Sequence, residues 1–126
     1  METGRAHPFF EKVKCESLTE QGFDQFQARD GLKILFLWGH QCPNCEIAKN
    51  VMTDRFEELQ KYDFYWADCN VYEYMEVGKR FGIHGIPVFI FFDGPRVLGK
   101  VSPFPGWAPF AEVLEKIQEK HTKAPL

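Results

Sequence analysis

The stretch Ile34-Leu35-Phe36-Leu37-Trp38-Gly39-His40-Gln41-Cys42-Pro43-Asn44-Cys45 decides how this chain is read. It opens with a continuous apolar run, passes through a glycine and a polar loop, and ends in a C-x-x-C pair. An apolar run of that length ended by Gly39 is the pattern of a strand buried on both faces. Beyond the pair, Ile47, Ala48, Val51, Met52, Phe56 and Leu59 make a helical stripe over residues 45–62, with charges opposite. The cysteines therefore fall where a buried strand gives way to a long helix. A helix start offers unpaired amides and the positive end of the macrodipole. Both stabilise a thiolate, the form of cysteine that attacks disulfides. Cys42, at the extreme start, is expected to carry the exposed nucleophilic sulfur. Cys45, one turn further in, is close enough to close a disulfide with it. Pro43 suits the first helical position, where a missing N–H costs nothing.

Working outward, residues 88–92 form a second buried run, ended by Asp93-Gly94, and residues 96–101 pair with it as a hairpin. Residues 64–67 read as a weaker strand, and residues 13–15 as a short edge strand. Ser17-Leu18-Thr19-Glu20 has the pattern of a capping box, with Phe23 and Phe26 behind it. Tyr74, Val77 and Phe81 mark a short helix ended by Gly82. Phe110, Val113, Leu114 and Ile117 mark a last helix, with Pro109 at its first position. The order is β-α-β-α-β-α-β-β-α. That predicts an α/β fold, a mixed central sheet of four to five strands flanked by helices on both faces. Gly85-Ile86-Pro87 directly precedes the second run, and a proline there belongs at the first strand position. A trans bond is the default. A cis Ile86–Pro87 bond would expose the Ile86 backbone for pairing with an extended peptide.

The chain has 126 residues, enough for a single domain over residues 1–126, with short flexible ends expected at about residues 1–7 and 122–126. Hydrophobic residues at 44% and charged residues at 26% exclude wholesale disorder. A net charge of -3 argues against a general nucleic-acid binder. No apolar run approaches the roughly 18 residues of a membrane span. Residues 1–10 lack the apolar middle of a secretory signal, so the expected location is cytoplasmic. Thirteen phenylalanines predict a core built from rings. Four cysteines in such a chain do not read as a disulfide framework. Cys15 and Cys69 fit small buried hydrophobes. A zinc site of Cys15, Cys42, Cys45 and Cys69 is the alternative, although such sites usually have two close pairs. His40, near Cys42, either supplies a cation to the thiol or is a polar loop residue. His84 reads as solvated surface.

These residues resemble the thioredoxin family. Residues 38–45, Trp-Gly-His-Gln-Cys-Pro-Asn-Cys, look like its Trp-x-x-Trp-Cys-Gly-Pro-Cys segment. Residues 82–94, Gly-Ile-His-Gly-Ile-Pro-Val-Phe-Ile-Phe-Phe-Asp-Gly, look like its Gly-Ile-x-Gly-Ile-Pro strand and hairpin. The resemblance runs from about residue 10 to residue 121. It implies the thioredoxin fold, a cis Pro87 beside the cysteine pair, and dithiol–disulfide exchange with protein substrates. By position, Cys42 attacks and Cys45 resolves, and Trp38 packs beside the active-site loop. Trp38, Gln41, Pro43, Asn44, Ile86, Pro87 and Ser102 are then the substrate-binding set. No cofactor is implied beyond the Cys42–Cys45 redox disulfide. A reductase or glutathione would return the electrons, and the working form would be a monomer with no nucleic-acid or membrane partner.

The departures carry information. Gln41 stands where the family has a second Trp, which reduces the apolar docking surface. Pro43-Asn44 replaces Gly-Pro; a leading proline is more like glutaredoxins and bacterial periplasmic oxidants. Phe36 stands in place of the family's buried Asp, and its buried Lys partner aligns near Trp66. Two rings are thus expected side by side where the family keeps an acid–base pair. Ser102 replaces a glycine, and the loop over residues 103–107 follows as either a docking lip or a packing loop. The leading functional reading is a thiol–disulfide oxidoreductase. An adaptor that uses the fold only for binding and a metal-binding sensor are the alternatives.

Overall fold

The computed structural model describes residues 3–121. Five strands form one sheet: β1 (Glu16–Ser17), β2 (Leu32–Trp38), β3 (Tyr65–Asn70), β4 (Val88–Asp93) and β5 (Arg96–Val101). Their order is β1-β3-β2-β4-β5. β1 and β2 run parallel to β3, while β4 pairs antiparallel with both β2 and β5. The helices are α1 (Pro8–Val13), α2 (Phe23–Ala28), α3 (Pro43–Asp54), α4 (Phe56–Leu59), α5 (Met75–Arg80) and α6 (Trp107–His121), with a single 3-10 turn at Gly4–Ala6.

The two apolar runs are central strands, and their alternation divides two cores. Ile34, Phe36 and Trp38 of β2 face Phe9 and Phe10 of α1, Cys45, Ala48 and Met52 of α3, and Phe110 and Leu114 of α6. Leu35 and Leu37 face Leu18, Phe23 and Phe26, and Val77 of α5. The first core is largely rings: Phe89 stacks on Phe36 at 4.8 Å and meets Phe110 at 4.8 Å.

Several elements differ from the sequence expectation. Residues 8–13 form a helix rather than leading into a strand at 13–15. Pro8 takes its first position, and His7 caps it by accepting from the Phe9 amide through Nδ1. Lys14 turns left-handed at φ 61, and the edge strand begins only at Glu16. The capping box does not form. Ser17 lies in β1, and the Glu20 carboxylate accepts instead from the Glu76 amide in the first turn of α5. The helix predicted over residues 45–62 is two helices broken at Arg55, close to where Thr53 Oγ1 donates back to the Lys49 carbonyl at 2.7 Å. Such back-bonding bends helices. α5 ends as expected at Gly82. The amides of Gly82 and Ile83 donate to the Lys79 and Gly78 carbonyls, closing the turn around a glycine at φ 63. α6 starts at Trp107, so Pro109 is its third residue, still among the amides that need no helical acceptor. β3 extends to Asn70 because its polar members, Asp68 and Asn70, find side-chain partners in Trp38 and His40.

Residues 3–7, read as part of a loose end, are tied down. Arg5 forks onto Asp68, and the buried Lys49 donates to the Gly4 carbonyl at 2.9 Å. The expected tail at 122–126 lies outside the described residues.

Candidate active site

Strand β2 ends at Trp38, and the next residues loop out before α3 begins at Pro43. Gln41 sits at φ 54, a left-handed conformation that costs a non-glycine residue roughly 1 kcal/mol. Cys42 is the N-cap of α3, and its Sγ accepts from the Cys45 amide at 3.1 Å. Cys42 and Cys45 form a disulfide with Cα atoms 5.2 Å apart. Cys42 keeps 8% of its surface and Cys45 none, so an incoming group reaches Cys42 first. Asn44 is exposed in the first helical turn. Among the described residues, no three His, Cys, Asp or Glu side chains gather as a metal site.

Beneath the loop, Trp38 is buried, and its Nε1 donates to Asp68 Oδ1 at 3.0 Å. Arg5 completes that carboxylate, donating from Nε at 3.0 Å and from Nη2 at 2.7 Å. The hydrogen bond and charge of Asp68 hold the Arg5 guanidinium protonated above its ordinary value, against the opposing effect of partial burial. Sequence reasoning missed this pair. Asp68 is polar inside a buried strand, which was the available signal, but its partner lies 63 residues away. His40 packs edge-on against Trp38. Asn70 Oδ1 accepts from the Tyr72 amide at 3.0 Å, which turns Asn70 Nδ2 toward His40 Nε2 at 2.8 Å.

Phe36 and Trp66 share a face and a core cluster but do not stand directly opposite each other. The parallel register sets Phe36 opposite Asp68 and Trp66 opposite Ile34. The ring of Phe9 touches both, 5.8 Å from Phe36 and 5.6 Å from Trp66. An acid does lie opposite Phe36, but its oxygens are occupied by Arg5 and Trp38. Cys45 shares its buried cluster with Phe10, Phe36 and Trp38.

The Ile86–Pro87 bond is cis, as is Ser102–Pro103. Ser102 Oγ donates to the Pro87 carbonyl at 2.8 Å, so these two site residues meet directly. Ile86 is half-buried and reaches the loop: a Cβ on Gly39 would stand 2.8 Å from its Cδ1. Its backbone has no hydrogen-bond partner among the described residues. The loop over residues 103–107 is a packing element. Phe104 meets Phe89 and Phe110, and Trp107 Nε1 donates to Glu58 on α4 at 3.0 Å.

A cleft of about 720 Å³ opens at Cys42. Pro43, Glu46 and Asn50 of α3 form one wall, and Thr3 and His7 of the N-terminal segment the other. Burial alone would raise the Glu46 carboxyl, but its bonds to Lys49 and Thr3 outweigh that and hold it below its ordinary value. Cys15 and Cys69 lie apart and free. Burial, reinforced by Asp68, pushes both thiols up, Cys69 to about 12.

The family model for thioredoxin matches residues 14–119. The chain belongs to the thioredoxin family, and its mixed five-stranded sheet with the C-x-x-C disulfide at a helix start is the thioredoxin fold with its redox motif. A comparison with curated proteins gives no match.

Proposed function

We propose that this protein is a thiol–disulfide oxidoreductase that reduces or exchanges disulfides of protein substrates through Cys42 and Cys45. The observation that carries the reading is the closed Cys42–Cys45 pair at the start of α3, with surface left only on Cys42. In the reduced protein, the α3 amides and dipole favour an anionic Cys42 sulfur. The Cys42 thiolate attacks one sulfur of a substrate disulfide, and the other sulfur leaves as a thiolate and takes a proton. Deprotonated Cys45 then attacks Cys42 Sγ. The bound substrate sulfur leaves, and the Cys42–Cys45 disulfide closes. Two electrons pass from the pair to the substrate. A dithiol reductase or glutathione returns them.

Gln41, Pro43 and Asn44 border the attacked bond. Trp38 supports the loop from below. Ile86, held by Pro87 and Ser102, presents its unpaired backbone to an extended substrate segment. No helix among the described residues is long and apolar enough to cross a membrane. We assign the protein to the cytosol, acting as a monomer. Insulin reduction with dithiothreitol as donor tests the reading. The parent protein should accelerate insulin precipitation, and Cys42→Ser should abolish the effect. Cys45→Ser should accumulate mixed disulfides with substrate. No acceleration by the parent, or trapping by Cys42→Ser instead, would overturn the assignment.

A further inference from the structure

Lys49 is a fully buried lysine, and the steps of thiol exchange give it no part. Its ammonium donates to the Gly4 carbonyl at 2.9 Å and pairs with Glu46. It lies over two rings, 5.1 Å from the centroid of Trp38 and 5.6 Å from that of Phe10. Taking a cation out of water is costly, and an uncharged donor would hold the Gly4 carbonyl equally well. Lys49 follows Cys45 by four residues in α3. Residues so spaced are neighbours on one helix face, and a helical side chain leans back over the turn before its own. Both residues meet Trp38: Cys45 shares its core cluster, and the Lys49 ammonium lies over its ring. Glu46 borders the cleft at Cys42, so the acid lies on the water side of the pair and the ammonium on the buried side. The other charged or titratable groups around this core have partners or are neutral. Asp68 of β3 is held by Arg5, His40 meets Asn70, and His7 caps α1 and meets Asn50. The Cys15 thiol is pushed up by burial. From α6 the core receives Phe110 and Leu114, which carry no charge. Thr3 and Gly4, which hold the Glu46–Lys49 pair, precede the residues that the family model matches.

We propose that Lys49 is the charge partner of the resolving cysteine, its buried ammonium favouring the Cys45 thiolate in the mixed disulfide. This rests on the oxidoreductase reading and adds a residue to its second step. Phe36 leaves no carboxylate to take the Cys45 proton, and the rings around Cys45 disfavour an anion. A fixed cation one helical turn away offsets that cost without accepting the proton, which passes to water. The Cys45 thiolate then attacks Cys42 Sγ, the substrate sulfur leaves as a thiolate, and the Cys42–Cys45 bond closes. Thr3 and Gly4 act as a strap that keeps the ammonium against Trp38. The segment ahead of the family domain thereby sets the speed of resolution.

The test mixes the reduced protein with dithiodipyridine, an uncharged aromatic disulfide. One absorbing pyridinethione is released when Cys42 attacks and a second when Cys45 resolves. Stopped-flow absorbance separates the two steps between pH 6 and 9. Lys49→Met should slow the second step roughly tenfold or more at pH 7 and move its pH profile up by about one unit, the two being equivalent for a reacting thiolate. The first step should stay within about twofold. Lys49→Arg, which keeps the charge, should keep the parent profile. Lys49→Gln keeps a donor for the Gly4 carbonyl without the charge. It should behave as Lys49→Met does and replaces it if that variant does not fold. A folded Lys49→Met or Lys49→Gln protein with the parent profile would overturn the charge role. So would an equal slowing of both steps, the mark of a tether alone. A reduced parent that releases no pyridinethione would instead overturn the oxidoreductase reading, and the role of Lys49 with it.

Discussion

Phe36 fills the position where the thioredoxin resemblance implies a buried acid, and its ring lies flat on Phe89 with 4° between planes. The nearest acid in the ladder, Asp68, is held by Arg5 and Trp38 and has no free lone pair aimed at Cys45. The proton of Cys45 must then leave without a dedicated carboxylate. The resolving step should accelerate as pH rises from 6 to 9, and stopped-flow rates of mixed-disulfide resolution check this. Phe36→Asp should make resolution faster near neutral pH. It should also destabilise the fold by about 3–5 kcal/mol, from the lost ring and the buried carboxylate. A flat pH profile in the parent would show that another group already moves the proton. The two remaining thiols follow a different rule. Burial pushes Cys69 to about 12, so its reactive thiolate is scarce at pH 8. Iodoacetamide at pH 8 should leave the native oxidised protein unmodified and add to Cys42 first after reduction. Labelling of Cys15 and Cys69 should require unfolding, and mass spectrometry reads the order. Serine at either position should leave turnover within about twofold.

At the scale of elements, the N-terminal segment is part of the site. Thr3 donates from its amide and hydroxyl to Glu46, and Lys49 joins the same carboxylate and the Gly4 carbonyl. Because Glu46 titrates below its unfolded value, its contribution to stability is complete above the unfolded value of about 4.3. It is lost as pH falls through the lower folded value. Urea midpoints should therefore drop on acidification below about pH 4, and Glu46→Gln should flatten that part of the profile. An unchanged profile would show that the carboxylate bonds add nothing. Sequence patterns revealed β2, β4, β5 and the C-x-x-C junction because long apolar runs need only local reading. The same patterns misplaced α1, whose helix depends on His7 acting as a cap, a role seldom given to histidine. They also passed over the Arg55 break, where the apolar stripe continues from Met52 to Phe56 although the backbone does not. The capping-box glutamate was a real cap, but for another helix 56 residues on.

Across the whole molecule, β2 divides two cores, and the ring-rich one lies directly under the redox loop. Phe89 touches Phe36, Phe104 and Phe110. Phe89→Ala should cost about 3–5 kcal/mol in chemical denaturation, whereas a surface change such as Glu112→Ala should stay within about 0.5 kcal/mol. The cysteine pair was legible because its chemistry is written in four adjacent residues. The Asp68–Arg5 clasp and the Thr3 wall were not, because each joins segments that only the folded sheet brings together. The placement of that wall has a practical side. Thr3 borders the opening at Cys42, whereas His121 reaches Asp93, which pairs with Leu32 at the far end of β2. An affinity tag or fusion partner joined ahead of Thr3 would emerge beside the reactive sulfur and crowd it. The same addition placed after residue 121 would emerge a full strand length away, leaving the entrance clear for immobilisation or pull-down work.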